Sequence, residues 1–258
     1  LGFENDDLLG PTGAVAIPEF NTRFTRQMLI DTQPKDFNTL VRLSGFSHGT
    51  DVWLGNAREL IVSGTASVLE TVGCRDDIML YLISMGLDPK MSFKIMEAVR
   101  KGKVKKSGEF PGDAEAQMRA LDVPEWYIES CKKIQYMFPR AHAVAYVMMS
   151  NRIAYYKVYH PVAFYAVYFT AKVAYFDEKV ILKGKDAILD RMDEILRKGK
   201  DAAKKEEDEI PVLEVAYEMC ARGYEFAPAR LGISDPLRFL AHDGKVLLPF
   251  VAITGVGE

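Results

Sequence analysis

The sequence has few of the features that mark secreted, membrane-spanning or zinc-binding proteins. Its three cysteines, Cys74, Cys131 and Cys220, lie far apart and form no CxxC pair, which argues against a structural zinc site and against a disulfide scaffold. No run of apolar residues is long enough to span a membrane. The N-terminus has neither a Met nor a basic segment, so it is not a signal peptide. We therefore expect a cytoplasmic protein without membrane contacts. We also expect the chain to be cut from a longer polypeptide at both ends.

An excess of basic charge is also missing. Lys and Arg number 33 against 36 Asp and Glu, which gives a net charge of -3. A nucleic-acid site, if present, must therefore be a local patch of cations rather than a property of the whole surface. The length of 258 residues and the hydrophobic content of 48% are typical of one large folded domain or two smaller ones.

The spacing of apolar residues predicts a mainly α-helical fold. A helical pattern begins at Phe20, with Phe24 and Met28 on the same face, and Asp36 is placed to cap a second helix. The other expected helices cover residues 57–62, 65–73, 76–85, 90–99, 113–121, 125–137, 141–159, 161–170, 177–182, 185–197 and 212–222. Residues 199–209 are predicted to be a solvated, charged linker. After Gly223, short apolar runs around a turn at Asp243-Gly244 predict a small β-containing piece.

Two cationic segments are the first candidates for binding. Five cations fall within seven residues at the end of a predicted helix: Arg100, Lys101, Lys103, Lys105 and Lys106. They could neutralise phosphate groups, or they could simply complement the negative end of the helix dipole. Arg140 and His142 begin the long helix, just after Lys132 and Lys133. A helix N-terminus favours anions, although an ordinary cap would use the same residues.

Two polar segments offer further candidates. Residues 45–51 are predicted to form a loop bracketed by glycines, in which Ser47, His48 and Thr50 could either contact a ligand or cap a helix. A Ser/His/Asp hydrolase triad is excluded here, because three residues so close in one loop rarely reach triad geometry. Asp76 and Asp77 follow Arg75, and paired carboxylates of this kind could bind magnesium. Adjacent residues of a helix point about 100° apart, so an N-cap role for Asp76 or a local ion pair is favoured.

Tyrosines are concentrated in the long helix and the helix that follows it. We expect most of them to be core residues and one or two to stack on a nucleotide base. The tyrosines are Tyr146, Tyr155, Tyr156, Tyr159, Tyr165 and Tyr168.

Several long stretches of this chain resemble the polymerase region of the bacterial replicative DNA polymerase III alpha subunit of PolC type. SHGTDVWLGNA (47–57) and EWYIESCKKIQYMFPRAHA (125–143) are unusual in composition and therefore specific. The other stretches, in family order, are IPEFNTRFTRQML (17–29), GCRDDIMLYLISMGLDP (73–89), FKIMEAVRKGK (93–103), HPVAFYAVYFT (160–170) and VLEVAYEMCARGYEF (212–226).

The resemblance implies the multi-helix fingers domain of a C-family DNA polymerase, which holds the incoming dNTP against the template base. It implies a connector over residues 1–35, the fingers over 36–223 and the start of a helix-hairpin-helix and clamp-binding region over 224–258. The implied nucleotide-binding residues are Ser47, His48, Thr50, Arg75, Arg100, Lys101, Lys103, Arg140 and His142. The implied DNA-binding residues are Lys105, Lys106, Lys132, Lys133, Gly255 and Gly257.

The chain departs from the family pattern in one way that limits its chemistry. The palm aspartates, expected in a PDxDxDF-like segment, are absent, so no catalytic residue is assigned and Mg²⁺ is expected to bind outside this chain. The exonuclease and zinc segments of PolC enzymes are absent too. The resemblance implies primer–template DNA, dNTP, the sliding clamp and other replisome subunits as partners of the whole enzyme. The alternative is a non-catalytic helical DNA-binding or scaffold module, which an unrelated sequence upstream of Leu1 would favour.

Overall fold

The computed structural model describes residues 6–256 and divides the chain into two compact units. One unit is Thr22–Ser150, and the other combines the described parts of residues 1–21 and 151–258. Helices dominate both units, and a small sheet lies near the C-terminus, so the predicted mainly α fold with a β-containing C-terminal piece is confirmed. Within residues 6–256, no helix combines the length and the apolarity needed to cross a membrane.

The unit Thr22–Ser150 consists of short helices joined by tight turns. Its helices are α1 (Arg23–Thr32), α2 (Phe37–His48), α3 (Arg58–Val62), α4 (Arg75–Ser84), α5 (Pro89–Arg100), α6 (Lys103–Ser107), α7 (Ala114–Ala120), α8 (Glu125–Lys133) and the first part of α9 (Arg140–Tyr159).

Helix α5 shows how local sequence and packing agree in this unit. The Asp88 carboxylate caps the helix by accepting a 2.9 Å hydrogen bond from the Met91 amide, and Pro89 occupies the first turn, where no amide donor is needed. Ile95 and Val99, four residues apart, are fully buried. The helix ends at Arg100, just before Gly102, whose φ of +65° is accessible to glycine at little cost.

The prediction of a loop at residues 45–51 is wrong for its first half, because α2 continues to His48. Gly45 lies inside the helix rather than in a turn, and a Cβ atom there would overlap the carbonyl oxygen of Gly73. The glycine is needed for the close approach of two backbones. The predicted cap of the same helix is confirmed, since the Asp36 carboxylate accepts the Thr39 amide at 2.9 Å.

Three smaller predictions in this unit are also wrong. Residues 65–73 form turns rather than a helix, and the helix expected over 125–137 ends at Lys133. Phe24 was expected on the buried face of α1, yet 42% of its surface is exposed, whereas Met28 is fully buried.

The second unit begins with the remainder of α9 and ends with a sheet. Its other elements are α10 (Pro161–Ala171), α11 (Glu178–Ile181), α12 (Lys185–Lys198), α13 (Lys204–Ala221), β1 (Phe226–Ala227), β2 (Leu240–His242) and β3 (Lys245–Leu247). Strand β3 is central, parallel to β1 and antiparallel to β2. The predicted turn at Asp243-Gly244 is confirmed, and both residues have positive φ, as a two-residue hairpin requires.

The predicted linker over residues 199–209 is wrong from Lys204 onward, because α13 begins there and continues through Pro211. Two carboxylates of this stretch form ion pairs with a neighbouring helix and are not fully solvated. The Arg191 guanidinium of α12 contacts the Glu209 carboxylate at 3.0 Å and the Glu206 carboxylate at 3.3 Å. These cross-helix ion pairs and the contacts between α12 and α13 hold the segment in a helix.

A buried polar network joins the N-terminal segment of this unit to its helices. The Lys157 ammonium donates to the carbonyl oxygen of Gly13 at 2.8 Å and contacts the Glu218 carboxylate at 2.8 Å. The Tyr165 hydroxyl donates to the same carboxylate at 2.7 Å, and burial raises the pKa of Tyr165, so the hydroxyl keeps its proton. The side chains of Lys157 and Glu218 are 2% and 0% exposed, so each charge depends on its partners.

We predict that Lys157→Met destabilises the protein by about 3–5 kcal/mol, because it leaves the buried Glu218 carboxylate without its cation. Urea unfolding followed by circular dichroism measures the change. Lys204→Met is the matched control, since the Lys204 side chain is 78% exposed and its ion pairs with Glu207 and Asp208 lie on the surface. An equal loss in both variants would contradict the role given to the buried pair.

Candidate functional site

Residues 134–139, between α8 and α9, form an extended strip that several other segments contact. Thr50 pairs with Tyr136 as an isolated antiparallel bridge. The Thr50 amide donates to the carbonyl oxygen of Tyr136 at 2.9 Å, and the Gln135 amide donates back to the carbonyl oxygen of Thr50 at 3.1 Å. These bonds hold the residues that follow α2 against the strip.

Two further segments attach to the same strip through their backbones. The Met137 amide donates to the carbonyl oxygen of Arg100 at 3.2 Å, and the Arg75 amide donates to the carbonyl oxygen of Phe138 at 3.1 Å. Gly102 also packs here, because a Cβ atom at that position would lie 2.5 Å from the carbonyl oxygen of Gln135. The end of α5 and the start of α4 are thereby fixed along the strip.

The predicted nucleotide-binding residues therefore come from four separate segments that meet at one place. Each segment is bonded to the strip or, in the case of α9, follows it directly. The residues concerned are Ser47, His48, Thr50, Arg75, Arg100, Lys101, Lys103, Arg140 and His142.

Aromatic and imidazole rings form a contiguous cluster at this place. The His48 and His142 ring centroids are 5.3 Å apart, and the His142 ring is stacked on Phe138 at 5.1 Å with an interplanar angle of 27°. Tyr146 lies 4.4 Å from His142, and Tyr136 lies 5.2 Å from Phe138. Tyr146 and Tyr136 are 40% and 41% exposed, so the cluster presents π-surface to solvent. Such a surface suits a flat ligand.

Hydrogen bonds fix the polar side chains at the end of α2. The His48 Nδ1 atom lies 2.7 Å from the carbonyl oxygen of Ser44, and the Ser47 hydroxyl donates to the same oxygen at 3.0 Å. The Ser47 hydroxyl is also 3.3 Å from the His48 Nδ1 atom. The imidazole is therefore held by its own helix while its ring contacts α9.

Arg100 and Lys101 are both paired with Glu97 on the preceding turn of α5. The Arg100 guanidinium makes two hydrogen bonds to the Glu97 carboxylate, and the Lys101 ammonium lies 2.7 Å from it. The hydrogen bond from Arg100, followed by that from Lys101, lowers the pKa of Glu97 to about 2. The two cations are thus preoriented by one carboxylate, with which a phosphate would compete.

The remaining cations of the run differ in their partners. Lys105 forms an ion pair with Asp51 at 2.6 Å, which joins α6 to the residues that follow α2. Lys103 and Lys106 are exposed, and their ammonium groups form no ion pair within residues 6–256. Among the predicted contacts to phosphate, these two carry charge that the described part of the protein leaves unbalanced.

The other predicted DNA-binding positions are two lysines that already have partners within the protein and two glycines. Lys132 is paired with Glu115 and Glu129, each at 2.9 Å, and the Lys133 ammonium donates to the carbonyl oxygen of Gly55 at 3.0 Å. Gly255 has a φ of +89° near the end of the described residues, and Gly257 lies outside them. Their roles in binding DNA stay predictions.

The start of α9 already has an anionic partner from the protein itself. The Asp76 carboxylate accepts the Arg140 amide at 2.7 Å, and the Arg140 guanidinium lies 3.5 Å from Asp77 and 3.4 Å from the side-chain oxygen of Asn38. A phosphate would have to displace a carboxylate to occupy this helix end. The contact of Arg140 with nucleotide stays a prediction.

Two alternatives were predicted here, and the N-cap role of Asp76 within its own helix is wrong. The other alternative, a local ion pair, is confirmed, because the Arg75 guanidinium lies 3.9 Å from the Asp76 carboxylate. Helix α4 begins after Cys74, and it is the Asp77 carboxylate that accepts the amides of Gly73 at 3.0 Å and Cys74 at 2.8 Å. Asp76 points to α9 instead. The two adjacent carboxylates therefore serve two different helices, as their divergent directions on a helix require.

The expectation that most of the tyrosines are core residues is wrong as well. Only Tyr165 among them is fully buried, and Tyr168 is half-buried. The four on α9 are Tyr146, Tyr155, Tyr156 and Tyr159, with 40%, 55%, 55% and 65% of their surfaces exposed. The long helix presents its aromatic rings outward.

Sequence reasoning assigned no binding or positioning role to Glu97, Asp51 or Phe138. Glu97 precedes Arg100 and Lys101 by three and four residues, a helical spacing that signals ion pairs. The pairing of Asp51 with Lys105 spans 54 residues and leaves no local signal.

We predict that NMR titration gives Glu97 a pKa of about 2, and that Arg100→Gln combined with Lys101→Gln returns it toward the ordinary value of 4.5. The pKa of Glu97 is lower in the folded protein than in the unfolded chain. The free energy of unfolding that this cluster contributes is therefore fully present above pH 4.5 and is lost as the pH falls toward 2. Arg119→Gln removes the charge of a different arginine and is the control. It should leave the pKa of Glu97 unchanged. A Glu97 pKa near 4.5 in the unaltered protein would contradict the ion-pair geometry.

Comparison with known proteins shows which proteins this chain resembles. The profile of the bacterial DNA polymerase III alpha subunit finger domain matches residues 5–121. DNA polymerase III PolC-type of Bacillus cereus and that of Bacillus subtilis are each 51% identical to the chain over 257 residues. The corresponding protein of Thermotoga maritima is 50% identical over 258 residues. Each alignment covers 100% of this chain and 18% of the relative's length. The resemblance seen in the sequence is confirmed: over its whole length the chain is similar to a segment of PolC-type DNA polymerase III, and residues 5–121 match the finger domain.

Proposed function

We propose that this chain forms the fingers of a replicative DNA-directed DNA polymerase and holds the incoming dNTP while the primer 3′-OH attacks it. The observation that supports this most strongly is the meeting of four segments along residues 134–139. Those segments carry every residue that the family resemblance assigns to the nucleotide. The backbone bonds of Thr50, Arg75 and Arg100 to the strip give the residues fixed positions.

Arg100 and Lys101 at the end of α5 and Lys103 at the start of α6 are proposed to bind the triphosphate. Lys103 is exposed and forms no ion pair within residues 6–256, so its charge is available to an anion. Arg100 and Lys101 are held by Glu97 until a stronger anion competes for them. Arg suits phosphate because its planar guanidinium can donate two hydrogen bonds to one group.

The ring cluster of His48, Phe138, His142 and Tyr146 is proposed to contact the nascent base pair. Its centroid separations of 4.4 to 6.4 Å show rings that support one another, so the cluster offers a preorganised face. A rigid face distinguishes base pairs by shape, because a pair of the wrong width cannot lie against it without displacing a ring. Preorganisation also saves the entropy of ordering these side chains when the nucleotide binds.

In the proposed reaction this chain supplies cations near the phosphates, and the Mg²⁺ ligands lie elsewhere. Nucleotidyl transfer builds negative charge on the phosphates, and nearby fixed cations stabilise it. Mg²⁺, when bound in such an enzyme, would activate the attacking 3′-OH and stabilise the negative charge on the leaving oxygen. Asp76 and Asp77 do not fit this ion, because their oxygens accept backbone amides and contact Arg42 and Arg140. We propose that Mg²⁺ binds palm aspartates outside this chain, and no step is assigned to it here.

The same proposal extends to the partners of the whole polymerase. Lys105, Lys106, Lys132, Lys133, Gly255 and Gly257 are proposed to contact primer–template DNA. The 3′–5′ exonuclease, the clamp contacts and the other replisome contacts are proposed to lie mainly outside these residues.

We predict that Arg100→Gln or Lys101→Gln, in the intact polymerase that carries this chain, raises the KM for dNTP or lowers kcat at least tenfold, because each charged contact to phosphate contributes about 1.5–3 kcal/mol. Single-nucleotide insertion kinetics measure both constants. Arg119→Gln is the control, because Arg119 is an exposed cation on α7 with its own carboxylate partners, Glu115 and Glu125. Unchanged kinetics in the Arg100 and Lys101 variants would refute the proposed triphosphate contact.

A further inference from the structure

The second half of α9 carries an exposed patch of rings that the proposed nucleotide site does not use. We define the tyrosine patch as Tyr155, Tyr156, Tyr159 and His160. The Tyr155 and Tyr159 ring centroids are 4.7 Å apart, and His160 lies 6.1 Å from Tyr155 and 5.8 Å from Tyr156. The three tyrosines are 55% to 65% exposed. Their hydroxyl groups form no hydrogen bond within residues 6–256.

An exposed cation stands beside the patch on the same helix. Arg152 precedes Tyr155 and Tyr156 by three and four residues, so it lies one turn away on the same side of α9. Its guanidinium forms no ion pair or hydrogen bond within the described residues. From Arg152 to Tyr159 the helix rises about 10 Å, at roughly 1.5 Å per residue.

The chain around the patch contains no acidic residue over a long distance. Between Glu129 and Asp177 there is neither Asp nor Glu, although the whole sequence has 36 of them. The same interval holds six cations: Lys132, Lys133, Arg140, Arg152, Lys157 and Lys172. Lys132, Arg140 and Lys157 are paired with carboxylates from other parts of the chain, so Arg152 is the cation beside the patch that is open to a phosphate.

We infer that the tyrosine patch binds single-stranded DNA, with bases stacked on Tyr155 and Tyr159 and a phosphate on Arg152. This inference rests on the proposed function, since it assigns the patch to the unpaired template strand of the polymerase's DNA. Exposed rings beside a cation are how proteins bind single strands without sequence preference. Every base has a π-face, so the patch accepts any template sequence.

A protein partner fits these observations less well. The hydroxyl groups of the three tyrosines would need hydrogen-bond partners if an apolar surface covered them. An apolar cleft of about 470 Å³ lies nearby in the same unit, lined by Phe164, Val167 and Tyr168 together with Tyr156. Tyr156 also lines that cleft, so a substitution there would change both the cleft and the patch. Substitutions at Tyr155 and Tyr159 therefore test stacking on DNA without changing the cleft lining.

The test compares two primer–templates bound by the intact polymerase, one with a long single-stranded 5′ template overhang and one with a single-nucleotide overhang. We expect Tyr155→Leu combined with Tyr159→Leu to weaken binding of the long-overhang substrate about tenfold or more, because each stacked base adds appreciably to affinity. Binding of the short-overhang substrate is expected to stay unchanged. Tyr155→Phe combined with Tyr159→Phe keeps the rings and should keep the affinity. Leu231→Ala removes an apolar side chain that is 91% exposed in the same unit and is the surface control.

The proposed contact between Arg152 and a phosphate is tested separately, by the salt dependence of DNA binding. Arg152→Gln is expected to reduce the slope of log affinity against log salt concentration by about 0.7 for the long overhang, because one fewer phosphate is neutralised on a single strand. Arg197→Gln removes a cation that is 83% exposed on α12 and should leave the slope unchanged.

The outcomes separate this inference from the proposed function. If the unaltered polymerase extends primers but the leucine variant keeps its affinity for the long overhang, the tyrosine patch does not bind the template. If the leucine variant loses affinity for both substrates equally, or melts at a lower temperature, the rings pack against another part of the polypeptide and the inference is overturned. If the unaltered protein cannot extend primers, the proposed function fails and the inference fails with it.

Discussion

The hydrogen bonds made by the backbone of residues 134–139 hold the candidate site together. A strip of chain between two helices must pair its polar backbone groups, and here the partners are Thr50, Arg75 and Arg100, which are distant in sequence. Each bond places one functional segment beside the strip. The ring cluster then follows, because Phe138 on the strip lies against His48 and His142. Side chains from positions about 90 residues apart become neighbours through these few backbone bonds.

Carboxylates determine how the cations of the site are presented. Glu97 holds Arg100 and Lys101, Asp51 holds Lys105, and Asp76 with Asp77 holds the start of α9. Paired cations lose less side-chain freedom when a ligand binds, since their rotamers are already restricted. The pairs also lower the free positive charge, which fits the slightly acidic composition of the chain. The unbalanced charge of Lys103 and Lys106 can then attract a phosphate to a surface that is otherwise neutralised.

Local signals in the sequence predicted most helices but not the contacts between them. Pro89, Asp36 and the Asp243-Gly244 turn act through neighbouring backbone groups, so they could be read correctly. Gly45 indicated a turn, yet its role is to let a helix approach Gly73. Residues 199–209 looked like a linker because the cross-helix pairs of Arg191 leave no local trace. The resemblance to a family supplied the candidate site residues. The structure alone showed that the segments carrying them meet along one strip and that the tyrosines of α9 are exposed.

Hydrogen–deuterium exchange on the intact polymerase offers a decisive measurement of the shared strip. The protein would be compared on a dideoxy-terminated primer–template with and without the next matching dNTP. Because the four segments are bonded to one strip, added nucleotide should slow amide exchange in the peptides covering residues 46–51, 75, 97–106 and 134–142 together. A mismatched dNTP should slow exchange less. Slowed exchange confined to other parts of the polymerase, with these four segments unchanged, would contradict the assignment of the site.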